Sequence, residues 1–290
     1  MEKYFKKDMI GVLMMLLSAA LFSFMALFVR LASKTMPVGM IVCVRYAFSV
    51  LFFIPLIAMK QIKIRPVNHR LLLYRALAAG FGGLFYFLAI ANISLAEAVI
   101  LKYTFPLFAI AVSAIFYGEK TGRLVIFLLL WSFIGVFVMM NPNSFSFRIG
   151  YVWGILNAVS AGAAVAFLRK LRATDDSTTT TFFTAVAGTV ISLPMLLIGL
   201  QIPTVSESVL LLSASIMGLS AQYVLAYGMR FIKTGAASVI MMVEVVIASV
   251  LGFSILGQIP TIHQLLGGAM IVLGGAVLIV RQGNNKAKKI

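Results

Sequence analysis

The sequence predicts an all-α integral membrane protein with ten transmembrane helices, arranged as two inverted repeats of five helices. Three observations support this prediction: the composition, the length of the apolar runs and a match of the chain with itself. Of the 290 residues, 62% are hydrophobic and only 11% are charged, and the mean hydropathy is +1.06. Because soluble domains carry about 25% charged residues, this composition excludes a soluble enzyme, a disordered chain and a secreted disulfide scaffold.

Ten apolar runs along the chain are long enough to be transmembrane helices, which need about 20 residues to cross about 30 Å of hydrocarbon. Turn-forming pairs such as Met36-Pro37 and Asn141-Pro142 separate them. The runs are Met9–Val29, Val38–Met59, Leu71–Ala91, Ala96–Tyr117, Leu124–Met140, Gly150–Leu168, Thr179–Leu200, Val209–Met229, Gly235–Leu256 and Gln264–Val280.

The distribution of lysine and arginine predicts the orientation of the chain. A net charge of +16 would suggest nucleic acid in a soluble protein, but here the cations lie in short loops, so the expected partner is the lipid bilayer and not nucleic acid. With a cytoplasmic N-terminus, nineteen Lys and Arg residues lie inside, and only Arg30, Lys34 and Arg148 lie outside. By the positive-inside rule, the sequence predicts a multi-pass membrane protein with both termini cytoplasmic.

The second half of the chain repeats the first at a shift of 139 residues. We therefore expect repeats at residues 1–145 and 146–290, with five helices each. Since five is odd, the second repeat enters the membrane from the opposite side, which is the arrangement of many alternating-access carriers; some channels share it. The matching pairs are Gly11 and Gly150, Arg30 and Arg169, Pro55 and Pro194, Ala98 and Ala237, Gly118 and Gly257, and Gly135 and Gly274.

Two corresponding sets of motifs carry a family resemblance. The first half reads Ala96-Glu97-Ala98, Thr104-Phe105-Pro106-Leu107-Phe108 and Tyr117-Gly118-Glu119-Lys120, and the second reads Gly235-Ala236-Ala237, Val243-Glu244-Val245 and Leu256-Gly257-Gln258. Over nearly its whole length the chain resembles the EamA-type, ten-helix members of the drug/metabolite transporter superfamily. It departs from the family pattern at Val245, usually Pro, and at Gln258, usually Glu. The resemblance implies transport of amino acids, their derivatives or other small metabolites.

Charged residues inside the apolar runs are the strongest candidates for a binding site, because such groups cost about 2.5–3.5 kcal/mol at a helix centre. Lys102 is predicted to bind an anionic substrate group, with Arg45 assisting. Glu244 is predicted to bind the substrate's ammonium group or a coupling proton, since burial disfavours an ionised carboxylate. Internal ion pairs that only orient helices, for example Arg45 with Glu97, remain the alternative. Glu97 is expected to be hydrated and structural.

Polar and aromatic side chains in other runs are predicted to complete the pocket. The resemblance implies that the third, fourth, eighth and ninth helices surround a central cavity. Pro106 lacks an N–H and would leave the carbonyl of Lys102 free at a kink; a packing kink is the alternative. The candidates are Tyr86, Tyr103, Asn157, Gln222, Tyr223 and Tyr227, whereas Trp153 is interpreted as an interfacial belt residue.

No constellation in the sequence predicts catalysis, a metal or another cofactor. His69 and His263 lie at loop edges without ligand spacing, and Cys43 is the single cysteine. The chain has no phosphate-binding Gly-Lys-Ser/Thr loop. We therefore expect a protein that is not an enzyme and that holds neither a cofactor nor a metal.

These features together predict a secondary active transporter that moves a small zwitterionic or anionic metabolite, an amino acid or a derivative, across the inner membrane by alternating access. Coupling to protons and coupling to substrate exchange both remain open, as does the oligomeric state. Within the family resemblance, an uptake carrier for an amino-acid-containing cofactor such as S-adenosylmethionine is the alternative. A membrane enzyme for lipid-linked substrates is disfavoured, because no carboxylate pair or His cluster lies at an interface. A non-transporting accessory or sensor subunit is a third class.

Overall fold

A computed structural model describes residues 2–118, 123–139, 148–171, 174–228, 231 and 240–287. All regular elements in these ranges are α-helices, as predicted. They are α1 (Glu2–Ala32), α2 (Val38–Ala58), α3 (His69–Asn92), α4 (Leu95–Lys102), α5 (Phe105–Tyr117), α6 (Arg123–Met139), α7 (Ile149–Leu171), α8 (Ser177–Ile198), α9 (Val205–Gly228), α10 (Val243–Leu256) and α11 (Ile262–Ala287).

Within the described residues, seven helical segments are long and apolar enough to cross a membrane, with α4 and α5 counted together as one segment. Three shorter apolar helices accompany them: Ile126–Met139, Val243–Leu256 and Ile262–Gly274. A multi-pass membrane protein is thus confirmed, whereas the count of ten spans stays a prediction. The predicted boundaries at Met140, Met229 and Gly235, the loop motif Asn141-Pro142, and the signature residues Glu119-Lys120 and Gly235-Ala236-Ala237 lie outside the described residues.

The fourth predicted span, Ala96–Tyr117, is present in the structure over Leu95–Tyr117, but it consists of two helices with a break between them. Tyr103 and Thr104 form a turn between α4 and α5. Pro106 lies in the first turn of α5, where its missing N–H has no helical partner to lose. The proline therefore marks the start of a helix and not a kink inside one.

The ninth span, predicted as Gly235–Leu256, has a matching interruption. Its described part begins at residue 240, and Met242, which lies 139 residues after Tyr103, forms a turn before α10. The helices after both breaks end at Gly118 and Gly257, with φ of 65° and 64°. Glycine suits these ends because a Cβ disfavours the left-handed conformation. The repeat found in the sequence therefore recurs in the backbone.

Helices from the two halves interdigitate. Helix α3 packs against α7 and α8, and α1 packs against α9 and α10. Further pairs are α2 with α8, α5 with α7, and α6 with α11. Small residues permit these close approaches: a Cβ at Gly154 of α7 would collide with Leu101 of α4. The buried core, which includes Phe87 and Leu101, thus lies between elements of both halves.

Polar groups fix several helix ends. Asn68 and Asp176 accept hydrogen bonds from the backbone N–H groups of Leu71 and Thr179 and so cap the N-termini of α3 and α8. At the other end of α3, the Arg30 guanidinium donates to the carbonyls of residues 90 and 91, which have no partner within the helix. These caps hold α3, which carries one of the site residues, in place at both ends.

Candidate functional site

The two helix breaks carry a buried ion pair. Lys102 is the last residue of α4, and Glu244 lies in the first turn of α10. The Lys102 ammonium lies 2.7 and 2.9 Å from the two carboxylate oxygens of Glu244. The Glu244 side chain is fully buried, and the Lys102 side chain is 20% exposed. Because one helix comes from each half, the pair connects the two repeats.

Tyrosine hydroxyls complete the surroundings of the Glu244 carboxylate. The Tyr103 hydroxyl lies 2.8 Å from one carboxylate oxygen and 2.6 Å from the carbonyl of Met241. The Tyr86 hydroxyl lies 3.4 Å from the other oxygen, and Ser23 of α1 donates to the backbone carbonyl of Glu244 at 3.2 Å. The carboxylate thus has the several donors that a buried charge needs.

Three aromatic rings surround the Lys102 ammonium. Its Nζ atom lies 4.7 Å from the ring centre of Phe22, 5.0 Å from that of Tyr86 and 5.5 Å from that of Tyr103. Aromatic faces attract cations within about 6 Å, most strongly when the cation is desolvated. We call Phe22, Tyr86, Tyr103, Lys102 and Glu244 the charge cluster. Its carboxylate and rings suit an ammonium group, and its ammonium suits a carboxylate.

The structure therefore brings together four of the predicted site residues, namely Lys102, Glu244, Tyr86 and Tyr103. Sequence reasoning missed Phe22 and Ser23, which α1 contributes. The first span, Met9–Val29, contains no charged residue that would mark its neighbours as candidates for a site. The one indication in the sequence is a difference between the repeats: Phe22 and Ser23 align with the smaller residues Ala161 and Gly162 at the shift of 139 residues.

Arg45 and Gln222 line a cleft between α2, α8 and α9 that includes no residue of the charge cluster. The Arg45 guanidinium stacks over the rings of Tyr46 and Phe87, with its carbon 4.5 and 5.8 Å from their centres. No salt bridge within the described ranges includes Arg45. The alternative of an Arg45–Glu97 pair is therefore wrong.

Glu97 belongs to the N-terminal cap of α4. Its carboxylate accepts from the backbone N–H of Ser94 at 2.8 Å, while the Ser94 hydroxyl accepts from the N–H of Glu97, which is a capping box. Tyr151 and Gln264 also donate to this carboxylate. Glu97 is 1% exposed, so the expectation that it is hydrated is wrong. Its contacts are those of a structural residue.

The remaining candidates lie outside the charge cluster. The Asn157 amide donates to the carbonyl of Gly82 at 2.7 Å and so joins α7 to α3. The Trp153 ring stacks on Phe85, with ring centres 5.8 Å apart. Tyr223 is 72% exposed and Tyr227 is 40% exposed. In the described residues, no group of three His, Cys, Asp or Glu side chains could hold a metal ion.

Comparison with known proteins identifies the family. The model of the EamA-like transporter family matches the chain twice, over residues 9–141 and 148–281. The chain belongs to the EamA-like transporter family. The family resemblance seen in the sequence is thus confirmed, and the chain is a transporter by family.

Several relatives of this EamA-like transporter are named transporters. A pseudopaline exporter of Pseudomonas aeruginosa is 30% identical over 265 residues, which cover 91% of this chain and 93% of the exporter. An S-adenosylmethionine uptake transporter of Rickettsia bellii is 22% identical and covers 78% of this chain and 77% of its own. A solved crystal structure matches 93% of this chain and 96% of that one, with a TM-score of 0.61 and 20% identity. That last likeness supports the fold alone.

Proposed function

We propose that this EamA-like transporter is a secondary active carrier that moves a small zwitterionic or anionic metabolite, an amino acid or a derivative, across the inner membrane by alternating access. The observation that carries the proposal is the buried Lys102–Glu244 pair, held at the broken ends of two helices from different halves. Buried charges in membrane helices are costly and mark substrate paths. We infer that the two repeats are inverted, which would let them alternate around this pair.

The proposed binding step replaces the internal pair with two pairs to the substrate. The substrate's carboxylate contacts the Lys102 ammonium, and its ammonium group contacts the Glu244 carboxylate and the rings of Tyr86 and Tyr103. In the empty protein each charge neutralises the other, which avoids the penalty of an isolated buried charge. A ligand that offers both charges separates the pair at the lowest cost in free energy, so the pair favours zwitterions over simple anions.

Glu244 is also the proposed coupling group. When the carboxylate binds a proton, it loses the charge that holds Lys102 at 2.7 Å, and the contact between the two halves weakens. A proton and a substrate ammonium group therefore compete for one carboxylate, which couples their movements. Substrate exchange through the same competition is the second mode of coupling.

The named relatives support two directions of transport. The exporter relative, which matches over nine-tenths of this chain, favours export of the metabolite from the cytoplasm. Uptake of S-adenosylmethionine is the alternative, supported by the Rickettsia relative and by three aromatic rings around a cation site, since such rings suit a substrate with cationic centres.

Transport by purified protein in proteoliposomes tests the proposal. Vesicles would be assayed with labelled amino acids, amino-acid derivatives, S-adenosylmethionine and an uncharged sugar, under an imposed pH gradient and in exchange mode. We expect movement of at least one zwitterionic or anionic solute by the wild type and by a Glu97→Gln control, and at least a tenfold loss in Lys102→Met. Equal transport by wild type and Lys102→Met, or movement of the sugar alone, would contradict the proposal.

A further inference from the structure

A second polar cleft shares no lining residue with the charge cluster. It lies between α2, α8 and α9 and has a cavity volume of about 20 Å³, which is room for a small group only. Its polar lining consists of Arg45, Tyr46, Ser49, Thr181, Thr184 and Gln222. We call it the arginine cleft.

Arg45 is a buried cation in this cleft, and no acidic side chain among the described residues pairs with it. It is 7% exposed, and its Nε atom has no hydrogen-bond partner. Its guanidinium is nevertheless positioned on three sides, by the rings of Tyr46 and Phe87 and by Gly218 of α9. A Cβ at residue 218 would lie 3.0 Å from Nε, so the glycine leaves room for the guanidinium.

A second arginine reaches the same wall of the cleft from α3. The Arg75 Nη1 atom lies 3.5 Å from the Thr184 hydroxyl, and the buried Nε atom of Arg75 also has no hydrogen-bond partner. Two guanidinium groups, from α2 and α3, thus lie near one threonine of α8.

The acidic side chains that the structure describes have their contacts elsewhere. Glu244 pairs with Lys102, Glu97 caps α4, and Glu207 accepts from Thr204. Asp175 accepts from the backbone N–H of Val67, and Asp176 caps α8. A buried cation without a counter-charge is strongly unfavourable. The two arginines therefore favour an anion that the polypeptide itself does not provide within the described ranges.

We propose that the arginine cleft binds one small oxyanion group, a carboxylate or a phosphate. The planar guanidinium of Arg45 matches two oxygens of such a group, and the Gln222 amide can donate a further hydrogen bond. Arg75 adds a second positive charge behind Thr184. The hydroxyls of Ser49, Thr181 and Thr184 already donate to carbonyls one turn earlier in their helices. The donors to the anion are therefore Arg45 and Gln222. This site does not depend on whether the charge cluster binds substrate.

Binding to the purified full chain tests the site without a transport assay. Calorimetry and thermal unfolding in detergent would be measured with inorganic phosphate and with succinate, against sodium chloride at equal ionic strength. A second arm would measure retention of phosphatidylglycerol after delipidation. The variants are Arg45→Lys, which keeps the charge but loses the planar fork, and Arg75→Gln. Arg70→Gln, which removes a guanidinium at an exposed position, is the control.

We expect a soluble oxyanion to bind the wild type and to raise its unfolding temperature, with affinity at least tenfold weaker in Arg45→Lys and weaker in Arg75→Gln. The Arg70→Gln control should keep the wild-type affinity. Retention of phosphatidylglycerol that is lost in Arg45→Lys, without a response to soluble anions, would support the same site with a lipid headgroup as ligand. Absence of binding in both arms, or equal binding by wild type and Arg45→Lys, would overturn the proposal.

Discussion

The Lys102 ammonium lies 2.7 Å from a carboxylate oxygen of Glu244, although 142 residues separate the two along the chain. The positions that match them through the repeat are the apolar residues Met241 and Phe105. The pair is therefore asymmetric within a repeated framework. A charge needed only by the framework could occur in both halves, whereas a site for an asymmetric substrate needs different groups on its two sides.

Removal of Lys102 should destabilise the protein more than neutralisation of Glu244. Lys102→Met strands a fully buried carboxylate, so we expect the free energy of unfolding to fall by about 3 kcal/mol. Glu244→Gln leaves an ammonium that is 20% exposed and can contact water, so a loss of about 1 kcal/mol is expected. Denaturant titration of both variants in detergent measures the difference.

The double variant Lys102→Met/Glu244→Gln provides the control for that experiment. It contains neither buried charge, and we expect it to be more stable than Lys102→Met alone, which is the behaviour of coupled residues in a double-mutant cycle. Additive losses would show that the two side chains do not interact in the folded protein.

The sequence predicts the helical membrane fold, the repeat and most of the charge cluster, because these depend on composition, shift and the cost of buried charge. It does not predict how each helix is rotated. A membrane helix carries apolar residues on all of its faces. The sequence therefore predicts how deep a residue lies in the membrane, but not which neighbouring helix its side chain faces. For that reason the sequence groups Arg45 and Gln222 with Lys102 in one predicted site, whereas in the structure they line a cleft that does not include Lys102.

The breaks in the fourth and ninth spans are also difficult to predict from the sequence. The run around Tyr103 contains no turn-forming pair, and only Pro106 indicates an interruption. The matching break at Met242 is followed by Val245, where the family resemblance leads us to expect proline, so the sequence gives even less indication of this second break. Breaks of this kind depend on contacts between the halves, such as that of Tyr103 with the carbonyl of Met241.

Glu97 should affect stability and not transport. Glu97→Ala removes the capping box of α4 and leaves the Tyr151 and Gln264 donors without their acceptor, so we expect a loss of about 2–3 kcal/mol. Glu97→Gln keeps an acceptor and should lose less. Thermal unfolding together with transport per folded molecule distinguishes the roles: a Glu97→Gln variant of normal stability that transports nothing would contradict the structural assignment.

Asp175 should contribute stability that depends on pH. Burial alone would raise the pKa of this carboxyl, but hydrogen bonds from the Thr174 hydroxyl and from the backbone N–H groups of Val67 and Asn68 outweigh it, and the pKa lies below the usual 3.8. Because the pKa is lower in the folded state, the contribution is present at neutral pH and is lost as the pH falls through that lowered value. We expect Asp175→Ala to unfold about 2 kcal/mol more easily at pH 7.

The same comparison at decreasing pH provides the check on Asp175. The difference between wild type and Asp175→Ala should begin to shrink once the pH falls below about 4, where the carboxyl becomes protonated in the unfolded chain but is still ionised in the folded protein. A difference that stayed constant from neutral to acidic pH would show that the carboxylate charge is not responsible.

The predicted topology can be tested with reporter fusions. Nineteen inward Lys and Arg residues against three outward ones predict that a fusion after Pro142 lies outside and a fusion at the C-terminus lies inside. Paired fluorescence and alkaline phosphatase reporters at these two points should give opposite signals. Identical signals from both fusions would refute the topology with ten spans.

The pH dependence of transport by Glu244→Gln tests most directly the claim that the buried pair is the transport centre. Zwitterion transport in proteoliposomes would be measured across a range of pH for wild type, Glu244→Gln and the Glu97→Gln control. The proposed competition between proton and substrate predicts a pH-dependent rate in the wild type and the control, and a rate at least tenfold lower that no longer responds to pH in Glu244→Gln. Wild-type transport by Glu244→Gln at every pH would contradict the claim.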